Sequence, residues 1–368
     1  MRENFQVAVL PGDGIGPEVT QEAVKILRVV EEIREPTFSF QYGLIGGSAL
    51  ATTAAPLPAE TIAICNNAQA ILLGAVGGPQ WDKRRPEERP EQGLLQLRKR
   101  LGLFVNIRPA RVLDCMLSAT ALKPQFARGT DMVIVRELTG GIYFGNPRGI
   151  FSRNGERVGI NTEIYREHEI ERVAHRAFQL ARIRRRRVTS VDKANVLESS
   201  QLWREVVERV ATSYPDVELG HLYVDTCAMQ LISQAPSFDV ILTNNIFGDI
   251  LSDEAAMITG SIGLLPSASL GEGHALYEPV HGSAPDIAGK NRANPIAAIA
   301  SAALMLRYTF RQDAAADAIE LAIEKVLKRG ARTSEIPGKK RAVTTTRMGD
   351  LIAAETKKLL KSSRFKNR

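Results

Sequence analysis

The chain of 368 residues holds only three cysteines, Cys65, Cys115 and Cys227. Their wide separations offer no paired spacing for zinc or a redox couple, so they read as reduced thiols of a cytoplasmic protein. Long hydrophobic runs are equally scarce. The longest, PIAAIASAALML from Pro295 to Leu306, lies between Arg292 and Arg307 and falls short of the ~20 residues a bilayer requires, so it reads as a buried helix. The first residues pass from MRENFQ into VAVL and Pro11 without the longer apolar segment of a secretory signal. Aromatics are only 6% of the chain and hardly interleave with the basic runs, which argues against stacking on single-stranded nucleic acid. No fixed repeat or low-complexity linker divides the chain.

What is present is an ordinary globular composition with 44% hydrophobic and 24% charged residues, enough for one large bilobal fold or two to three domains at roughly 150 residues each. The formal net charge is +7. Two runs account for it. Residues 182–187 and 355–368 contribute +5 each, so the remainder carries −3. Runs of this kind are more often a solvated helix face and a frayed tail than a binding surface.

Short β-rich runs alternate with longer helical patterns: QVAVL with PEVTQEAVKILRVVEEI, QAILLG with PEQGLLQLRKRL, RVTSV with SSQLWREVVERV, and FDVILT with GDILSDEAAMI. This alternation predicts an α/β architecture with a substantially parallel sheet. The Gly-rich stretch from Asp131 to Ile164 breaks the pattern and predicts an antiparallel excursion, an arm suited to dimerisation. Ligands of open α/β sheets sit beyond the carboxyl ends of strands. The segments there are Pro11–Gly16, Arg108 after LFVNI, Arg136-Glu137, Asp192-Lys193, Asp225 and Asn244-Asn245. Basic groups and carboxylates converging at one edge suit a small polyanion better than a polymer.

GDGIGPE resembles a dinucleotide fingerprint only weakly, because its glycines miss the final spacing. Pro17 suits a first helical turn, which leaves a tight turn and a ligand loop equally open. Asp249 and Asp253 stand four apart on a predicted helix, where like charges cost about 0.2–0.5 kcal/mol. With Asp225 they form a set of hard oxygen donors suited to Mg²⁺ or Mn²⁺, against the alternative of solvated carboxylates. Leu94, Leu95 and Arg98 put two leucines beside a guanidinium, either an apolar wall next to a carboxylate fork or an amphipathic helix with Leu inside and Arg in water. Lys193 is a candidate general base and Tyr143 a candidate proton donor; the alternatives are an exposed lysine and a core ring.

PGDGIGPEV, WDKRRPEERPEQGLLQLRKRLGLFVNIRPA, VRELTGGIYFG, SVDKANVLESSQLW, HLYVD with AMQLI, TNNIFGDILSDEAAMITGSIGLLPSASLG and LYEPVHGSAPDIAGK together closely resemble the decarboxylating β-hydroxyacid dehydrogenases, the isocitrate/isopropylmalate dehydrogenase family. The resemblance runs from Val9 to about Tyr308. It implies a two-lobed α/β fold with a large mixed, partly parallel sheet, distinct from the Rossmann fold. It further implies a discontinuous NAD-binding domain (1–103 plus 257–368) and a substrate, metal and dimerisation domain (104–256) with an antiparallel arm near 137–162.

The implied reaction is NAD-dependent oxidation of 3-isopropylmalate and decarboxylation to 4-methyl-2-oxopentanoate, a step of leucine biosynthesis. Isocitrate, homoisocitrate or tartrate are the alternative substrates, and nucleic-acid binding by the basic runs is the alternative of another class. By resemblance, Arg98, Arg108 and Arg136 bind the substrate carboxylates, and Asp225, Asp249 and Asp253 hold Mg²⁺ or Mn²⁺. Lys193 helps remove the hydroxyl proton and Tyr143 protonates the enol. Glu91, Leu94, Leu95 and Val196 occupy the place where an isocitrate enzyme binds an extra carboxylate, and burying an unpaired carboxylate against leucines is costly. Lys193, Asp225 and Val196 come from the second subunit of a homodimer. Glu278, His281, Gly282, Ser283, Ala284, Asp286 and Asn294 form the cofactor loop, and a carboxylate at Asp286 favours NAD over NADP. Two pairs depart from the family pattern: Thr226-Cys227 and Asn291-Arg292, the latter placing a positive charge near the adenine loop.

Overall fold

The computed structural model describes all residues except 1, 2, 35, 338–341, 363, 364 and 366–368, and of Glu87 only the backbone. The first part of the chain forms β1 (Asn4–Gly12), α1 (Gly16–Ile33), β2 (Thr37–Tyr42), α2 (Gly47–Thr53), α3 (Ala59–Asn67), β3 (Ala70–Ala75) and α4 (Glu91–Arg100). The middle holds β4 (Val105–Arg111), α5 (Pro124–Ala127), β5 (Asp131–Glu137), β6 (Gly149–Arg153), β7 (Glu156–Ile160), α6 (Glu167–Arg182), β8 (Arg187–Asp192) and α7 (Glu198–Ala211). It continues through β9 (Glu218–Tyr223), α8 (Val224–Gln234), β10 (Val240–Thr243) and α9 (Asn245–Thr259). The last part adds β11 (Pro266–Leu270), β12 (Ala275–Pro279), α10 (Ile296–Tyr308), α11 (Asp313–Lys328) and α12 (Thr345–Leu360).

Ten strands form one sheet in the order β2-β1-β3-β12-β11-β4-β5-β10-β8-β9. Both outer portions are parallel, as alternating strands and helices require. At the centre β11 runs antiparallel to β12 and β4, and β4 antiparallel to β5. The chain therefore crosses to the second half of the sheet at β4 and returns at β11. Helix α10, the PIAAIASAALML run, is almost wholly buried, as an apolar stretch too short for a membrane should be. No helix among the described residues is long and apolar enough to cross a membrane.

The antiparallel excursion is narrower than the sequence suggests. Its first part is β5 of the main sheet, and only β6 and β7 pair with each other, forming an exposed hairpin closed by Asn154-Gly155. Both turn residues have positive φ, the geometry that two-residue hairpin turns prefer. Residues before it form a Gly-Gly turn and one short helical turn at Gly141–Tyr143.

The GDGIGPE alternatives resolve toward a structural turn. Pro17 sits in the first turn of α1, but the amides of Asp13, Ile15 and Gly16 donate to Ala75, Ser283 and Asp13 carbonyls within the protein. Gly14 has φ of +56°, and a Cβ there would lie 2.0 Å from the Ser283 carbonyl oxygen. The buried Asp13 carboxylate accepts from the amides of Gly47 and Ser48 (2.7 Å each) and Gly77 (2.8 Å). It thereby ties β1, α2 and the loop after β3 together.

The basic runs also differ from expectation. Residues 182–187 are not a helix face: Arg182 ends α6, Arg184–Arg186 form a turn, and Arg187 opens β8. Arg182 pairs with Asp216, Arg184 with Asp131 and Asp239, and Arg187 with Glu218, so most of this charge is neutralised internally. The tail is not frayed throughout. Helix α12 continues to Leu360, Lys357 pairs with Glu32, and Phe365 is buried; the remainder of the run lies outside the described residues.

Replacing Asp13 with Ala leaves two buried amides and the part-buried amide of Ser48 without their acceptor, a loss of about 1–3 kcal/mol for each buried one. Chemical denaturation should show Asp13→Ala destabilised by about 3 kcal/mol or more, with Gly14→Ala also clearly destabilised.

Candidate active site

A cleft of about 440 Å³ opens where the central antiparallel strands meet α4 and α9, lined among others by Glu91, Leu94, Leu95, Arg98, Arg108, Arg136, Tyr143, Asp249, Glu278, His281 and Gly282. A groove of similar size on α10 and α11 is largely apolar, and its Arg184 and Arg307 are already paired with Asp131, Asp239, Asp313, Asp317 and Glu320. The first cleft has the convergent polar groups expected of a reactive site.

The register explains two of its arginines. Arg108 lies within β4 rather than beyond it, because the strand continues to Arg111. Asn106 faces Arg136 across the β4–β5 ladder. Positions two apart share a sheet face, so Arg108 and Arg136 project to the same side as diagonal neighbours. Helix α4 supplies the third. Leu97 fills the core, Arg98 is buried, and the half-buried Leu94 and Leu95 line the cleft. Of the two arrangements open for this helix, the structure adopts the apolar wall beside the guanidinium.

Each arginine is held by partners. Arg98 Nη2 donates to Glu278 Oε1 at 2.6 Å, between two buried side chains. Arg108 donates from Nε to Asn106 Oδ1 (2.7 Å) and from Nη1 to Ser252 Oγ (2.6 Å). Arg136 donates from Nε and Nη2 to Asn245 Oδ1 (3.1 and 2.7 Å) and from Nη1 to Asp249. Burial, reinforced by the Arg136 charge, brings Arg108 down to about 10, so it stays charged at neutral pH.

Asp249 and Asp253 share a face of α9, as their spacing requires. Burial works against the Asp249 charge, but the Arg136 and Arg108 guanidiniums outweigh it and hold the carboxyl below the usual range. Burial instead raises Asp253, whose Oδ1 lies 3.6 Å from Arg108 Nη1. Tyr143 Oη donates to Asp249 Oδ2 at 2.8 Å. Burial and that carboxylate push its hydroxyl up to about 12, leaving it protonated at neutral pH.

Not every expected residue reaches this cleft. Lys193 Nζ donates to Asp225 Oδ1 at 2.7 Å on the β8–β9 side. Lys193, Asp225 and the exposed Val196 do not line the cleft. Among the described residues no group of three His, Cys, Asp or Glu could hold a metal. Asp253 borders Arg108 without lining the cleft. Ser283, Ala284, Asp286 and Asn294 continue from its Glu278–Gly282 wall. Ser283 is buried with its carbonyl on Ile15, Asp286 is exposed, and Asn294 is buried.

Asn106 and Ser252 are not among the residues expected from the sequence, whereas Asn245 belongs to the Asn244-Asn245 pair expected beyond a strand end. Asn106 stands two positions before Arg108 on one strand face, and Ser252 three after Asp249 on one helix face. Those two periodicities are the signal that finds them.

A mixed sheet carrying buried arginines opposite helix-borne aspartates defines an α/β enzyme for small carboxylates. The chain belongs to the isocitrate/isopropylmalate dehydrogenase family, a family of decarboxylating oxidoreductases, whose model matches residues 6–352. A 3-isopropylmalate dehydrogenase of Aquifex aeolicus is 58% identical over 334 residues, 91% of this chain and 92% of its own. One from Chromohalobacter salexigens is 57% identical over 95% of this chain and 98% of its own. Among solved structures, isocitrate dehydrogenase from Methylococcus capsulatus has a TM-score of 0.85 and 33% identity over 96% of this chain and 99% of its own. A beta-decarboxylating dehydrogenase from Thermococcus kodakarensis has a TM-score of 0.79 and 35% identity over 98% of each chain.

Gly248 leaves room for Arg136: a Cβ there would lie 2.6 Å from the arginine Cγ. Gly248→Ala should displace the guanidinium, and calorimetry with a small dicarboxylate should show affinity reduced about tenfold, the scale of one lost charged hydrogen bond.

Proposed function

We propose that the protein catalyses NAD-dependent oxidative decarboxylation of 3-isopropylmalate to 4-methyl-2-oxopentanoate and CO₂, working as a cytoplasmic homodimer with a divalent cation. The half-buried Leu94 and Leu95 beside Arg98 carry the choice of substrate. They suit a branched aliphatic group, whereas a third carboxylate would be desolvated there without a partner. The 3-isopropylmalate dehydrogenases of Aquifex aeolicus and Chromohalobacter salexigens, more similar in sequence than the isocitrate enzyme, support the same reading.

In this reading residues 1–103 and 257–368 form the NAD-binding domain and 104–256 the substrate and dimerisation domain. Two buried side-chain nitrogens without a partner, His281 Nε2 and Asn294 Nδ2, suit a polar cofactor along the loop of Glu278, His281–Ala284, Asp286 and Asn294. Exposed Asp286 would accept from a ribose 2′-hydroxyl and repel a 2′-phosphate. Asp249 and Asp253 offer only hard oxygens, a donor set suited to Mg²⁺ or Mn²⁺, with Asp225 of a second copy completing it. When bound, NAD would supply the hydride acceptor and the cation a Lewis acid.

The chain's own residues do the rest. Arg98, Arg108 and Arg136 orient the two carboxylates; Arg136 makes three hydrogen bonds to protein, leaving two of its five N–H groups for substrate. Lys193 of the second copy helps remove the hydroxyl proton, through a water molecule, as the carbinol carbon is oxidised. Tyr143, protonated at neutral pH, gives its proton to the carbon from which CO₂ has left. Support for a shared site comes from the location of Lys193, Asp225 and Val196 outside this chain's cleft. Met229 and Ile232 on α8, Ile250 and Met257 on α9, and Ile150 and Phe151 on the hairpin are all exposed, apolar surface that a second copy would cover.

Following NADH absorbance across a panel of 3-isopropylmalate, isocitrate, homoisocitrate and tartrate with Mg²⁺ tests the reading; turnover of another member but not of 3-isopropylmalate would overturn it. Leu94→Arg should cut kcat/KM for 3-isopropylmalate at least tenfold while NAD affinity stays within about twofold, since about 1–3 kcal/mol of apolar contact is replaced by a charge. Tyr143→Phe should lower kcat by about 10²–10⁴ with little change in KM, the range for loss of a general acid.

A further inference from the structure

Asn245 was assigned no part in the chemistry above, yet it is almost fully buried, 1% exposed, and touches two parts of the cleft at once. Its Oδ1 accepts from Arg136 Nε and Nη2. Its Nδ2 donates to the Gly140 carbonyl at 3.2 Å. Its backbone amide donates to Tyr165 Oη at 2.9 Å, which fixes the residue at the head of α9.

The Gly140 peptide is gripped from both ends. Its N–H donates to the buried Glu137 Oε2 at 2.8 Å, while its C=O accepts from Asn245. A Cβ at Gly140 would lie 2.9 Å from the Tyr165 ring, and one at Gly141 would lie 2.4 Å from the Tyr165 hydroxyl oxygen. The turn so clamped leads directly into Gly141–Tyr143 and sets where the Tyr143 ring stands, with Arg136 5.8 Å over its face.

The residue type matters as much as the position. Asp249 already sets one carboxylate on Arg136. A second carboxylate at 245 would accept the same two hydrogen bonds but would cancel the guanidinium charge needed for an anionic ligand and would have no proton to give the Gly140 carbonyl. A neutral amide holds the same geometry and leaves the charge available.

We infer that Asn245 is a positioning residue for the reaction: a neutral acceptor that aligns Arg136 without discharging it and, through Gly140, fixes the turn that carries Tyr143. The inference rests on the reading of Arg136 and Tyr143 given above. It links substrate affinity and protonation through one side chain.

The isosteric Asn245→Asp separates this role from packing. Kinetics are read on whichever family substrate the wild type turns over, so a wrong substrate assignment leaves the test intact. Asn245→Asp keeps the acceptor for Arg136 but loses the donor to Gly140; with folding checked by its melting curve, it should raise the substrate KM about tenfold or more while the KM for NAD stays within about twofold. Asn245→Ala, which frees both Arg136 and Gly140, should raise substrate KM and lower kcat, and should increase the solvent deuterium isotope effect on kcat as protonation becomes slower. An Asp variant with wild-type substrate KM would overturn the inference. So would an Ala variant in which the two KM values rise together or the isotope effect is unchanged.

Discussion

The structure depends on keeping three guanidinium groups charged inside one largely dehydrated cleft. An unpaired buried cation costs several kcal/mol, and three in proximity also repel. The cleft meets this with a mixture of partners. Glu278 takes Arg98, the neutral oxygens of Asn106 and Ser252 take Arg108 with Asp249 and Asp253 farther off at 3.7 and 3.6 Å, and Asn245 with Asp249 takes Arg136. Carboxylates hydrogen-bonded to every guanidinium would stabilise the free protein more, yet leave less field for an anion. The mixture keeps the site attractive to a dicarboxylate.

The sheet topology provides the rigid frame. The antiparallel strands at its centre bring Arg108 and Arg136 onto one face, while α4 reaches over from the first part of the chain and α9 from the second. The positions of the arginines are therefore fixed by ladder register and helix packing rather than by loops, which suits a site whose polar groups must be set before substrate arrives.

Much of this was legible in the sequence. The alternation of apolar runs marked β1, β3, β8 and β10 with α1, α4, α7 and α9, and the i, i+4 spacing placed Asp249 and Asp253 on one face. What could not be read was pairing over long distance. Nothing near Arg108 reveals that β4 runs antiparallel to β5 and continues past it. Nothing near Arg98 announces Glu278 as its partner. The arginines at 182–187 look free in sequence because Asp131, Asp216, Asp239 and Glu218 come from other elements. The GDGIGPE turn could be settled only once Ser283 was found against it.

The crossing of the chain between the two halves of the sheet has a consequence for synthesis on the ribosome. Strand β3 ends at Ala75, but its neighbour β12 begins at Ala275, so the first half stays open along that edge until most of the protein has emerged. Strands β4, β5, β8, β9 and β10 are contributed by residues 105–243 and can pair with one another earlier. Each half can thus pair internally before the centre of the sheet closes, which waits for β11 and β12. Until β12 arrives, the apolar edge of β3 needs shielding from other nascent chains.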